Sequence, residues 1–241
     1  MKTIIHKAEN RGHANHGWLN AKHSFSFASW FNPNKIHFGA LRVLNDDEVA
    51  AGMGFGKHPH DNMEIITLVQ EGSLAHQDSM GNGSVMQFND VQVMSAGTGV
   101  FHSEMNPDKN KGVKLFQIWV IPEKFQVEPR YAQERFDEAD RKNKWQQIIK
   151  PHDDNSGAGI FIYQQAWFNQ VDLDATQEIS YTKKRDGNGV YLMVIDGEIT
   201  VDGQQLYKRD AIGITEFESF NIKANTQARV LAIDVPMITL E

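Results

Sequence analysis

Two pairs of possible metal ligands, each pair separated by one residue, constrain the fold of this chain more than any other feature. His58 and His60 form the first pair, and His102 and Glu104 form the second. Side chains alternate between the two faces of a β-strand, so residues i and i+2 point to the same side. Two such strands lying side by side would direct three imidazoles and one carboxylate toward one point. The spacing therefore predicts a metal site built on neighbouring β-strands.

The rest of the sequence is also dominated by strand-like patterns. Short apolar or alternating runs are separated by turns rich in Gly, Asn and Asp, such as residues 79–83 and 202–203. Helical periodicity is scarce, and we expect a short helix only at residues 131–140. This pattern predicts an all-β fold of barrels or sandwiches. The predicted strands include residues 39–44, 64–69, 91–94, 114–121, 159–164, 190–195 and 230–235.

The chain also repeats itself. Three segments of the first half resemble three segments of the second half in the same order, which predicts two copies of one β-fold. The polar stretch at residues 122–159 is expected to connect them, so we place the two domains at residues 1–135 and 136–241. The paired segments are 66–72 with 192–197, 89–93 with 209–213, and 115–122 with 230–236.

The histidines are confined to the first part of the chain. All ten lie at or before His152. The second copy therefore lacks the ligands of the first, and we predict a metal site in the N-terminal barrel only. The C-terminal copy is expected to be a structural partner that packs against it.

Composition excludes several classes of protein. Lys and Arg total 24 against 31 Asp and Glu, a net charge of −7 with no basic stripe, so we expect no direct nucleic-acid partner. The absence of cysteine excludes disulfides and thiolate zinc sites, and it fits a cytoplasmic protein. No apolar run has the length of a secretory signal or a membrane span, so we expect no membrane partner.

The predicted ligand set indicates a catalytic rather than a structural metal. Neutral imidazole and carboxylate suit Fe, Mn, Ni, Cu or Zn. Four protein ligands in an octahedral geometry leave two positions for water or substrate, as a catalytic metal requires.

Three other polar residues leave alternatives open. Glu64 lies six residues after His58. In an unbroken strand it is an alternative carboxylate ligand, a group that orients a ligand, or an edge residue facing water. Gln117 interrupts an apolar strand and is expected to reach the site, since a buried amide needs a partner. We interpret His76, which has no paired histidine, as a hydrogen-bonding residue of a hairpin.

Large apolar side chains flank the metal segments. We predict that they form the barrel core and that some of them wall an apolar substrate pocket. They are Phe55, Met63, Phe101, Phe116 and Trp119.

These segments resemble a known family. The glycines, histidines and Glu64 of residues 52–72 have the spacing of the first cupin motif, and residues 99–106 resemble the end of the second. A more specific resemblance is to the pirin family, whose members are bicupins with one metal-binding barrel. It is strong over residues 11–135 and weaker beyond. The segments that carry it are 23–28, 54–60, 76–79, 94–99 and 102–104.

The resemblance implies a ligand set and an activity. In pirins the two histidines of the first motif and the His and Glu of the second hold the metal, which favours Glu104 over Glu64 here. Pirins are similar to quercetin 2,3-dioxygenases, which open a flavonol with O₂ and release carbon monoxide. The resemblance thus implies one divalent transition metal, with iron expected first and Ni, Mn, Cu or Zn as alternatives. It also implies a flavonol-like aromatic substrate and O₂, with Glu104 accepting the substrate proton.

Two further functions remain as alternatives at this stage. Some pirins resemble regulatory proteins that respond to a metal or its redox state and bind a protein partner. A structural or sugar-binding cupin with an idle metal is the third hypothesis.

Overall fold

A computed structural model describes residues 1–239 as an almost entirely β-structure. Short 3-10 turns occur at Ala8–Asn10 and Glu138–Arg141. Within these residues, no helix is long and apolar enough to cross a membrane. The strands of the first half are β1 (Lys2–His6), β2 (Gly12–Asn15), β3 (Leu19–His23), β4 (Leu41–Val49), β5 (Gly54–His60), β6 (Glu64–Glu71), β7 (Ser73–Asp78), β8 (Gly83–Gln87), β9 (Asp90–Ser95), β10 (Val100–Met105), β11 (Val113–Val120) and β12 (Arg130–Arg135).

The second half repeats the pattern with ten further strands in the described residues. They are β13 (Gln146–Pro151), β14 (Ile160–Ile162), β15 (Trp167–Leu173), β16 (Glu178–Thr182), β17 (Asn188–Asp196), β18 (Glu198–Val201), β19 (Gln204–Tyr207), β20 (Ala211–Thr215), β21 (Ser219–Ala224) and β22 (Ala228–Pro236).

The strands of the described residues form two seven-stranded and two four-stranded sheets, one of each in either barrel. The N-terminal sheets have the orders β12-β9-β6-β11-β4-β3-β2 and β5-β10-β7-β8. The C-terminal sheets have the orders β1-β20-β17-β22-β15-β13-β14 and β16-β21-β18-β19. The equivalent orders confirm the predicted repeat and the predicted all-β, two-barrel fold.

The first strand belongs to the sheet of the other half. β1 pairs antiparallel with β20, and Ile4 lies opposite Gly213. We propose to divide the chain into residues 1–135 and 136–241. The boundary follows β12, which is the last strand of the N-terminal barrel in the described residues. In this division β1 crosses from the N-terminal segment into the C-terminal sheet.

The two large sheets pack against each other and bury the largest apolar cluster of the molecule. This cluster joins the outward faces of both sheets, with Leu68 and Phe116 from one barrel and Tyr191 and Ile233 from the other. The barrels therefore share a core, as expected for packed β-sheets. Burial of this surface holds the two barrels together.

The interiors of the barrels differ. The inside of the C-terminal barrel is one apolar cluster that includes Val194, Ile222 and Ala232. The apolar residues of the N-terminal barrel form two separate clusters, one around Leu74 and the other around Ile65. Polar residues occupy the space between them, and the candidate metal ligands lie at that level.

The helix predicted at residues 131–140 is wrong. Residues 130–135 instead form β12, which pairs with β9 along its whole length. Only the 3-10 turn at Glu138–Arg141 follows, and the Asp137 carboxylate accepts a hydrogen bond from the Ala139 amide at its start. The open edge of β9 supplied backbone partners, and this tertiary pairing outweighed the weak local preference for helix.

Candidate metal centre

Strands β5 and β10 bring the two predicted ligand pairs together. His102 lies directly opposite His58, and Val100 lies opposite His60. The ring centroid of His102 lies 4.4 Å from that of His58 and 4.9 Å from that of His60. One nitrogen from each of the three rings falls within 4.8 Å of the others. The three imidazoles therefore converge as the i, i+2 spacing predicts.

The hydrogen bonding of the imidazoles fits a metal. His102 is 1% exposed, and neither of its ring nitrogens has a hydrogen-bond partner within residues 1–239. A buried imidazole without a partner is costly, and a metal bond would satisfy one of its two nitrogens. The Nδ1 of His58 lies 2.8 Å from the Gly56 carbonyl, which leaves Nε2 free to bind.

Electrostatics also favours the form of histidine that binds metals. Burial, and then the neighbouring His58, lower the pKa of His102 to about 3. Burial and His58 likewise lower the pKa of His60 to about 4. Both rings are therefore neutral near pH 7, as metal ligation requires.

Glu104 lies beside this cluster and is held by two neighbours. It is 2% exposed. The Gln117 amide donates to its Oε2 over 2.9 Å. The Thr67 hydroxyl lies 3.4 Å from its Oε1 and 3.2 Å from Oε1 of Gln117, so its single proton is shared between these two acceptors. Burial raises the pKa of Glu104 to about 7, although these hydrogen bonds oppose the shift. Glu104 also forms a second possible ligand group with His76 and His102, so His102 belongs to both groups.

A row of polar side chains crosses the large sheet at this level. Each residue lies directly opposite the next one on the adjacent strand, from β3 to β12. The row supplies the hydrogen bonds that Glu104 receives, and it separates the two apolar clusters of the barrel. Its members are His23, Asn45, Gln117, Thr67, Gln92 and Gln133. The predicted contact of Gln117 with the site is therefore present.

His76, interpreted from the sequence as a hydrogen-bonding residue of a hairpin, lies beside the cluster. Its Nε2 lies 3.1 Å from Asp78, and the Gln92 amide donates to its Nδ1 over 3.4 Å. Its ring lies 5.4 Å from that of His102 and stacks on Tyr131 at 4.8 Å. His76 thus makes the hydrogen bonds expected of it, but it also borders the cluster. Its i, i+2 spacing to Asp78 was the available signal.

Glu64 lies away from the cluster. It faces the same side of β6 as Ile66, which packs between the barrels, and the Ser95 hydroxyl donates to its carboxylate over 2.7 Å. Burial raises the pKa of Glu64 to about 7. Asn62 adopts a positive φ of 45° between β5 and β6. This turn ends the alternation on which the Glu64 alternative depended.

The flanking apolar residues divide between several places. Phe55 packs with one interior cluster, Phe116 lies between the barrels, and Met63 and Trp119 adjoin the other interior cluster. Phe101 does not match the prediction, because it is 48% exposed. It alternates with His102 on β10 and therefore faces outward.

The C-terminal barrel has no equivalent site in its described residues. Gly72 and Gly197, which both have a φ of 80°, align the two copies. In this alignment Tyr181 and Phe220, which face each other across β16 and β21, replace His58 and His102. Their rings stack at 5.6 Å. Ile222 replaces Glu104, so aromatic and aliphatic side chains fill the position of the metal site.

Comparison with known proteins agrees with this architecture. The family model described as Pirin matches residues 5–120, and the one described as Quercetinase C-terminal cupin domain matches residues 148–235. A quercetin 2,3-dioxygenase of Escherichia coli K12 is 40% identical over 97% of this chain and 99% of its own length. A pirin-like protein of Caulobacter vibrioides is 40% identical over 92% of this chain and 95% of its own.

A solved structure is also similar over nearly the whole chain. The bacterial pirin YhhW of Escherichia coli in complex with nickel(II) has a TM-score of 0.92 and 37% identity, covering 98% of this chain and 100% of that one. Fold and site together define a bicupin with one candidate metal centre. The chain belongs to the pirin family.

Proposed function

We propose that this protein is a metal-dependent dioxygenase that opens flavonols such as quercetin with O₂ and releases carbon monoxide. The convergence of three imidazoles on one point, with the buried nitrogens of His102 unpartnered, carries the proposal. Similarity to a protein named quercetin 2,3-dioxygenase supports the reaction and the flat aromatic substrate class.

His58, His60, His102 and Glu104 are the proposed ligands. All four are nitrogen or oxygen donors of the kind that Fe, Ni, Mn, Cu and Zn accept, and iron is our first expectation. Similarity to a nickel-bound pirin supports a divalent metal. When bound, the metal supplies Lewis acidity at the substrate oxygen.

Glu104 is the proposed proton acceptor. Glu104 is buried beside the imidazoles, where a carboxylate that changes its coordination can accept the proton of a substrate hydroxyl. Gln117 and Thr67 hold its two oxygens in place, so the carboxylate stays oriented as its charge changes. The apolar clusters on either side of the polar row exclude water from this part of the barrel.

Elemental analysis and a flavonol assay on the same sample test the proposal. Metal-loaded protein should consume oxygen while quercetin absorbance disappears. The His102→Ala variant should bind metal poorly and lose turnover. His13→Ala removes an exposed histidine that is distant in sequence from the proposed ligands. It should change neither the metal content nor the turnover. Turnover of quercetin by metal-free His102→Ala at the wild-type rate would refute the assignment.

A second candidate function is a regulatory protein that responds to the state of its metal. It is favoured by the alternation of β10, which carries His102 and Glu104 inside and the exposed Phe101 and Met105 outside. A change at the metal would thus reach an exposed apolar surface within one strand. Amide exchange of β7, β8 and β10 should differ between Fe(II)- and Fe(III)-loaded protein. Identical exchange in the two states would count against this function.

A further inference from the structure

The histidine cluster is closed on one side and open on the other. His102 and Glu104 are buried, whereas His58 and His60 are partly exposed. Trp119, which lies beside His60, is partly exposed as well. The accessible side of the cluster is therefore the side that carries His58, His60 and Trp119.

Two aromatic rings border this open side. The Trp119 ring lies 5.0 Å from that of His60, at an interplanar angle of 82°. The Phe27 ring lies 5.4 Å from that of Trp119, also at 82°. Perpendicular rings present both faces and edges, and these are the surfaces to which a further aromatic ring binds.

Phe27 is held rigidly in the loop between β3 and β4. Its backbone exchanges two hydrogen bonds of 3.0 Å with Trp30, which closes a tight turn at Ala28, where φ is +50°. Arg42 donates to the carbonyls of Ser26 and Ile36 and so fixes both ends of the loop. The ring is therefore positioned before a ligand arrives, which lowers the entropy cost of binding.

Trp119 also has an unused donor. Its indole Nε1 is buried and has no hydrogen-bond partner within residues 1–239. No ligand oxygen reaches this atom from the open side, so the part of Trp119 available to a ligand is the exposed part of its ring.

We propose that Phe27 and Trp119 form a substrate-binding wall that selects a flat aryl ring beside the histidine cluster. The inference rests on the proposed dioxygenase function, which supplies a flavonol as the substrate class. Phe27 contacts an aryl ring of the substrate. Trp119 contacts the same ligand with the exposed part of its indole ring.

Calorimetric binding to Ni(II)-loaded protein without oxygen tests the wall, because no turnover is needed. Quercetin and maltol are the two probes. They share a 3-hydroxy-4-carbonyl group that can bind a metal, but maltol lacks the fused and pendant aryl rings. Phe27→Leu removes one ring, and Trp119→Phe replaces the indole by a smaller ring. Elemental analysis of each variant verifies that the metal is retained.

Each variant has a matched control. Phe31 lies in the same loop as Phe27 but is 72% exposed. Phe31→Leu therefore controls for the loss of a phenyl ring in this loop outside the proposed wall. Trp145 lies in the second barrel, where its indole donates to the Ser180 carbonyl. Trp145→Phe therefore tests the loss of an indole away from the site.

We expect Phe27→Leu and Trp119→Phe to weaken quercetin binding by about threefold to tenfold each. Maltol binding to Phe27→Leu should change less than about twofold, and the two controls should bind both probes as wild type does. Wild-type quercetin affinity in both wall variants would overturn the inference. So would an equal loss of both probes in Phe27→Leu that retains its metal.

The same samples separate this inference from the proposed reaction. Suppose that the wild-type protein binds quercetin, that both wall variants bind it more weakly, and that no oxygen is consumed when air is admitted. This result would refute the dioxygenase function but support the substrate-binding wall. Oxygen consumption with quercetin by wild type, together with unchanged affinity in both wall variants, would refute the wall alone.

Discussion

The Gln117 side-chain amide donates a 2.9 Å hydrogen bond to Oε2 of Glu104 inside the N-terminal barrel. Gln117 sits on β11 and Glu104 on β10, so the bond joins the large sheet to the small one. The Thr67 hydroxyl, which faces Gln117 across the sheet, lies within hydrogen-bond distance of the other carboxylate oxygen and of the Gln117 side-chain oxygen. The large sheet therefore orients the only carboxylate among the proposed ligands.

Gln117→Leu should weaken metal binding. Leucine keeps the approximate volume but leaves Glu104 with only the longer bond from Thr67, so the pKa of Glu104 should rise further and less of the anion is present. Loss of such a supporting bond typically lowers metal affinity by about 10- to 100-fold. A competitive metal titration at pH 7 measures the change.

Gln70→Leu is the control for this experiment, because Gln70 lies on β6 and lines the cleft outside the barrel. It should bind metal as wild type does. Equal metal affinity in Gln117→Leu and wild type would show that the bond does not support the ligand.

The sequence predicted the part of the site that depends on local spacing. His58 with His60, and His102 with Glu104, share a face because strand alternation is a property of each strand alone. The convergence of the three imidazoles then required only that β5 and β10 be neighbours, and the structure pairs His102 directly with His58. Glu104 groups with His102 and His76 instead, so its place in the ligand set stays a prediction. The repeat of one β-fold in the two halves could also be predicted from the sequence, because equivalent strands carry similar runs of residues.

The supporting residues could not be predicted in this way. His23, Asn45 and Gln92 are single polar residues on separate strands, and their alignment depends on the register between the strands of one sheet. Register is set by tertiary pairing, which spacing along one strand does not encode. The Glu64 alternative failed for a related reason, since the turn at Asn62 resets the alternation.

Phe116→Ala should destabilise the contact between the barrels. Phe116 is fully buried in the shared cluster, and the Arg209 guanidinium lies 4.8 Å from its ring centroid. Truncating a buried Phe leaves a cavity and costs about 3–5 kcal/mol. Denaturant unfolding followed by fluorescence measures the loss. Phe31→Ala removes an exposed ring and should cost less than about 0.5 kcal/mol; a similar loss in both variants would contradict the prediction.

His6 should make stability fall in mild acid. Burial lowers the pKa of His6 from 6.5 to about 4 in the folded protein. The unfolded chain therefore binds the proton more tightly. The contribution of neutral His6 to the free energy of unfolding is fully present above pH 6.5. It declines as the pH falls to about 4, by at most about 3 kcal/mol in total.

The difference between wild type and His6→Gln isolates this term from the carboxylates that titrate in the same range. Glutamine retains a group that can bond to the Tyr191 hydroxyl, the present partner of His6 at 2.9 Å. Thermal unfolding between pH 4 and 7 should show a shallower pH dependence in this variant. His13→Gln changes an exposed histidine and should follow the wild-type curve; parallel curves for all three proteins would exclude His6 as the cause.

Removal of residues 2–7 should destabilise the C-terminal barrel locally. β1 covers one side of β20, so its deletion leaves the backbone groups of β20 that face it without partners. It also removes the bond from Lys7 to the buried carboxylate of Asp210. Amide exchange should accelerate in Ala211–Thr215, whereas β10 in the other barrel should keep its protection.

Lys2→Ala deletes only an exposed ion pair to Glu216 and should leave β20 protected. Unchanged exchange in the truncated protein would mean that β20 does not depend on β1, although the two strands are paired over five residues.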